Sequence, residues 1–176
     1  AGLTTSQVSA LTTAQIAALD STDLAALSSA QTAVLNTAQA AAIETTDISQ
    51  LSTAAVRALS TAAVNALGTD QIAALTTSQV VSLSTTQVAG MNTAQIAALE
   101  STDLAAMSSA QIGVLNSTQA AAIETTDISQ LNTADIRALS STAVTGFNTA
   151  QIAALTSTQV GALSSTQAGA LDTAQA

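Results

Sequence analysis

Histidine, cysteine, proline, lysine, tryptophan and tyrosine are all missing from this 176-residue chain. Phenylalanine occurs once, at Phe147, and the only basic residues are Arg57 and Arg137. Each absence removes a class of function. Without His or Cys, the commonest base for the many Ser and Thr hydroxyls and the thiolate nucleophile are both missing, so an enzyme is not expected and no catalytic residue is assigned. Haem iron has no His, Cys or Tyr to ligate it, and neither Met91 nor Met107 belongs to an axial pair, so no cofactor is expected. Two Arg against 11 acids leave a net charge of -9, which makes nucleic acid and anionic membranes poor partners. Apolar runs such as Ala40 to Ile43 are far shorter than the roughly 20 residues of a spanning helix, so no membrane insertion is expected despite a mean hydropathy of +0.44. No basic and apolar leader opens the chain. Lack of Cys is compatible with either side of a membrane. Disorder is excluded too, because 48% hydrophobic residues with only 7% charged ones must bury something.

What is present is a single period. From Leu3 the chain reads LTTSQVSA, LTTAQIAA, LDSTDLAA and onward to LDTAQA, 22 octads without an insertion. Position 1 is always large and apolar: 17 Leu, with Ile43, Ile123, Met91, Met107 and Phe147 completing the set. Position 3 is always Thr or Ser, position 5 is usually Gln, position 6 is usually Ile, Val or Leu, and positions 7 and 8 are mostly Ala. A longer period lies above it. Residues 91 to 139 restate residues 11 to 59 at an offset of 80, a duplicated block of ten octads. Neither end carries an atypical unit, whereas solenoids generally need polar caps, so the expectation is a segment of a longer array or a subunit whose ends are covered by neighbours. Residues 1–176 therefore read as one continuous octapeptide-repeat solenoid.

Three architectures compete for an eight-residue period. In one continuous helix, each Leu would rotate by about 80° from the last, and the apolar stripe would face no single partner. In a β-solenoid, apolar spacings of five and three would fall on opposite strand faces, and too few Gly and no Pro remain for the corners. Short capped helices fit better. Position 2 is Thr, Ser, Asp, Asn, Gly or Glu, and Gln follows three residues later, as in a capping box. The strict Ser/Thr of position 3 competes with position 2 as N-cap, and Asn, Asp or Gly at position 2 could also close the preceding helix in the left-handed region. The predicted fold class is all-α: a solenoid of very short capped helices, one per eight-residue repeat. An isolated octad cannot offset its own backbone entropy, so coils must stack along a seam of positions 1 and 6, with Ala at 7 and 8 allowing close approach. Two octads per superhelical turn are preferred, because ten octads then make whole turns.

Few side chains remain as candidates for chemistry. Acids pair three residues apart at Asp20 and Asp23, Glu44 and Asp47, Glu100 and Asp103, and Glu124 and Asp127. Such pairs could hold calcium. However, ten of the 11 acids occupy positions 2 and 5, where helix starts favour negative charge, and no EF-hand or glycine-rich calcium repeat is present, so no metal site is assigned. A flat Thr row could match ice, but 14 Thr mixed with 8 Ser at position 3 would spoil the face. Arg57 and Arg137 occupy the same place in the duplicated block and are expected to balance acids across a coil.

The units LTTAQIAAL, LTSTQVGAL and LGTDQIAAL resemble the octapeptide arrays of very large bacterial surface and secreted proteins, often described as adhesins. The resemblance covers the whole chain and implies an extracellular or cell-surface fibre, stalk or sheath. Together with the strictness of Leu and the cap, it favours a structural protein whose partner is itself, through end-to-end or lateral assembly. The alternative is a binding module, in which an exposed Ser/Thr/Gln surface recognises a glycan or other polymer, ice or calcium.

Overall fold

The computed structural model describes residues 2–171 and residue 175. These contain 20 α-helices and one 3-10 helix, and no strand among the described residues. The chain divides into two compact units, Ala1–Met91 and Asn92–Ala176. Within each unit, short helices stack coil on coil as a solenoid, in accord with the all-α expectation.

The helices are four to six residues long, one per octad, as in Ser29–Thr32, Thr37–Ala41 and Thr53–Ala58. Position 2 is the N-cap. Thr12 is extended, with φ -73 and ψ 161, and its hydroxyl accepts from the Gln15 backbone N–H while Gln15 Oε1 accepts from the Thr12 N–H at 2.9 Å. The Ser/Thr of position 3 is therefore the first helical residue. Left-handed closure by position 2 does not occur: Asn36 (φ -81, ψ 173) and Gly68 (φ -70, ψ 162) are extended, and no described residue has positive φ. The chain turns instead through an extended pair, with Leu59 at φ -56 and ψ 140 leading into the N-cap Ser60 at φ -63 and ψ 153.

Helices this short are unstable alone, and their ends expose many unpaired backbone groups. Packing across coils rescues them. Helix Ser29–Thr32 packs on Thr53–Ala58, Thr37–Ala41 on Thr61–Asn65, and Ser117–Ala122 on Ser141–Val144, each pair three octads apart. Hydrogen bonds between coils join residues 28 and 31 apart, so a turn holds between three and four octads. This corrects the expected two. A two-octad turn would bring position 5 over the wrong end of the helix below, out of reach of its carbonyls.

Positions 1 and 6 form the core as expected, with Leu51, Val56, Leu59 and Val64 buried in the first unit and Ile136, Leu139, Val144 and Phe147 in the second. Position 5 joins them, whereas position 7 points to solvent. Close approach is concentrated at position 8. A Cβ on Gly146 would lie 2.0 Å from the Ser117 carbonyl oxygen of the coil it packs against.

Candidate functional site

The most ordered polar feature of the fold is a ladder of position-5 glutamines. Gln79 is 1% exposed. Its Oε1 accepts from the Thr76 N–H at 2.7 Å, closing the capping box of its own octad. Its Nε2 donates to the Ile48 and Leu51 carbonyl oxygens at 3.0 and 2.7 Å, at the end of a helix one coil away. Gln71, Gln87, Gln151, Gln159 and Gln167 repeat the arrangement with acceptors at the same offsets of 28 and 31. One carboxamide thus serves two helix ends of opposite polarity, an orphan N–H with its oxygen and orphan carbonyls with its nitrogen. Its orientation follows from that chemistry, since a flipped amide would face donors with donors and acceptors with acceptors.

Expectation had put these glutamines on the surface, and the structure corrects it. A hydropathy pattern classes Gln as polar, and the carbonyls it satisfies lie three to four octads away in sequence. The recurrence of Gln was visible, but the capping box already explains it within one octad, so it did not point to burial. Among the described residues, no buried side-chain nitrogen or oxygen lacks a hydrogen-bond partner.

Where Asp replaces Gln, polarity reverses. Asp135, fully buried, uses Oδ2 to accept from the Asn132 N–H at 3.1 Å and Oδ1 to accept from the Ser109 hydroxyl of the neighbouring coil at 2.8 Å. Asp127, 2% exposed, accepts from the Ser101 hydroxyl in the same way. A carboxylate has no proton for the carbonyls, so the neighbouring coil supplies one through a hydroxyl.

The acidic pairs are divided by this geometry. Asp20 is an N-cap whose Oδ1 accepts from the Thr22 and Asp23 N–H groups, both at 2.9 Å. Glu100 and Glu124 are exposed at position 2, while Asp103 and Asp127 are buried at position 5, so the two carboxylates of these pairs face different surroundings. Glu44 is exposed and Asp47 half-buried. Among the described residues, no three His, Cys, Asp or Glu side chains converge on a point where a metal could sit. Two open grooves follow the N-caps. One, of about 440 Å³, lies between Glu100 and Glu124 with Leu99, Ser101 and Thr102, and the other, of about 380 Å³, includes Glu44, Gly68 and Asp70. Both set hydroxyls beside carboxylates, Ser101 and Thr102 with Glu100 and Glu124 in the first and Thr45 and Thr69 with Glu44 and Asp70 in the second.

Arg57 reaches across a coil, as expected, but to a different kind of group. Its Nη1 donates to the Ser82 carbonyl oxygen at 3.1 Å, at a helix C-terminus where a cation also faces the negative end of the dipole. Arg137 occupies the last turn of helix Thr133–Ala138. No described helix is long and apolar enough to cross a membrane.

A family model described as the ALTTAQ repeat matches residues 40–77, 73–101, 96–133, 120–157 and 128–165. No curated protein matches the chain at a significant level.

Proposed function

Since the chain belongs to the ALTTAQ repeat family, we propose that it is a structural repeat protein, without catalytic activity, that builds an extracellular or cell-surface fibre, stalk or sheath by association with copies of itself. One observation carries this reading. Side chains that could have formed a recognition surface are turned inward: Gln79, Gln87, Gln151 and Gln159 are buried and spend their carboxamides on holding one coil to the next. The most regular polar chemistry of the sequence is thus devoted to architecture. What remains outside among the described residues is mostly Ser, Thr, Ala and Asn, with a scatter of carboxylates, Arg57, Arg137 and single apolar side chains such as Val81 and Val160, a surface whose long-range repulsion comes from the net charge of -9. The extracellular location rests on the resemblance to bacterial surface arrays.

The test is assembly. Light scattering and electron microscopy are followed from neutral pH towards the sequence pI of about 4.1, with sodium chloride, calcium and chelator compared at neutral pH. The proposal expects end-to-end or lateral association as the carboxylates are neutralised or screened, with helical circular dichroism retained. Dispersed single chains under every condition would reject self-association. A response to micromolar calcium that chelator reverses would favour the binding-module alternative.

A further inference from the structure

Position 5 is not free to alternate between Gln and Asp, because the two present opposite polarity to the coil they pack on. Gln brings two N–H donors to carbonyls at offsets 28 and 31. Asp is one methylene shorter and only accepts, so in the same slot its charge would face those carbonyl oxygens with nothing to neutralise it. The donor it finds is the position-3 hydroxyl at offset 26: Ser101 for Asp127 and Ser109 for Asp135. We propose that position 3 of one octad and position 5 of the octad three places later form a polarity-matched pair, in which Ser admits Asp and Thr accompanies Gln. Ser101 and Ser109 are then specificity-determining residues for coil stacking.

The sequence carries the pairing beyond the two observed bonds. Within the two units, six Ser at position 3 have a position-5 residue 26 places on: three meet Asp (Asp47, Asp127 and Asp135), two meet Ala and one meets Gln. Of ten Thr so placed, nine meet Gln. Along the whole sequence Asp103 is the one Asp that follows a Thr at this spacing. The duplicated block supplies a natural exchange. Ala55 of the first copy becomes Asp135 in the second, and the residue 26 places earlier is Ser in both, Ser29 and Ser109. The choice of Ser has a physical basis: its hydroxyl rotates freely, whereas the γ-methyl of Thr restricts χ1 and adds bulk beside the incoming side chain.

Such pairs matter because the apolar seam cannot tell octads apart. Leu on Leu and Ile on Ile fit equally well after a slip of eight residues. A slip that lengthens the turn by one octad would set Asp127 on Thr93 rather than Ser101, leaving a buried carboxylate beside a poorer donor. Buried polar groups fix register in this way where apolar packing is degenerate. The inference concerns packing within one chain and does not depend on whether chains assemble.

Thermal unfolding of the full chain tests it by a double-mutant cycle, Ser109→Ala, Asp135→Ala and both together. Each single change is expected to lower Tm by on the order of 5 °C. The double variant should lose clearly less than the sum, because once the carboxylate is gone the hydroxyl has nothing to satisfy. A second comparison separates pairing from simple packing: Ser109→Thr should lower Tm with Asp135 present and be nearly silent in an Asp135→Gln background, where the amide takes up the ladder contacts. Additive losses in the cycle, or an equal effect of Ser109→Thr in both backgrounds, would overturn the proposal. If an Ala variant gives no clear transition, the same cycle on Ser101 and Asp127 decides, with the same two outcomes.

Discussion

Gln79 and Leu51 are 28 residues apart, yet the Gln79 Nε2 donates to the Leu51 carbonyl oxygen at 2.7 Å while its Oε1 caps the helix of its own octad. Stability along the chain therefore depends on a side chain that serves the octad it belongs to and the coil next to it at once.

Removing that carboxamide should cost more than a surface glutamine would. We expect Gln79→Ala to lower stability by about 2 to 4 kcal/mol, since it strips donors from two buried carbonyls and an acceptor from the part-buried Thr76 N–H. Gln79→Glu keeps the acceptor but sets a carboxylate against the Ile48 and Leu51 oxygens, which raises its folded-state pKa. The part of the penalty due to charge is complete above that raised pKa, shrinks as pH falls and vanishes below the unfolded value, leaving the loss of one of the two donors. Urea unfolding of both variants between pH 4 and 8 checks this; a pH-independent loss for Gln79→Glu would contradict the ladder geometry.

Glycines at different octad positions should respond in opposite directions. Gly146→Ala places a methyl within 2.0 Å of the Ser117 carbonyl oxygen, a backbone atom that can yield only by moving the coil, and should cost about 1 to 3 kcal/mol. Gly169, in helix Ser165–Ala170, has nothing within 4 Å of its added Cβ. Its change to Ala should gain roughly 0.5 to 1 kcal/mol through helix propensity. Calorimetry on the two variants reports both signs.

Coil register can be trapped covalently. A Cβ on Gly90 would lie 3.8 Å from the Thr61 Cβ, within the span of about 3.5 to 4.5 Å that a disulfide bridges. Thr61→Cys with Gly90→Cys, in a chain with no other Cys, should oxidise to an intramolecular bridge with raised Tm. Free thiols after mild oxidation of the folded protein would mean that octads 8 and 11 do not stack as described.

Deletions should respect the octad. Removing residues 75 to 82 keeps every remaining octad in phase, and cooperative unfolding with helical circular dichroism should persist. Removing only residues 75 to 78 shifts positions 1, 5 and 6 off the seam for all that follows and should lower Tm sharply. Equal tolerance of the two would show that the octad is not the folding unit.

Sequence by itself determined what is settled inside eight residues. A short capped helix in every octad and the burial of Leu59 and Val64 follow from local hydrogen bonding and from the spacing of apolar side chains, whereas the choice of position 2 over position 3 as the cap came from the structure. The missing His and Cys likewise set the candidate chemistry before any fold was considered. Tertiary structure decided the rest. The octad IETTDISQ occurs twice unchanged, yet its second half is the 3-10 helix Ile48–Gln50 in one unit, whereas the α-helix Thr125–Ile128 lies in the other. The number of octads per turn and the burial of Gln79 and Asp135 were equally out of local reach. Each octad resembles every other, so periodicity cannot say which carbonyl or hydroxyl, 26 to 31 residues away, a fifth-position side chain will meet. That partner exists only once the coils have stacked, and its polarity decides whether an amide or a carboxylate can be buried there.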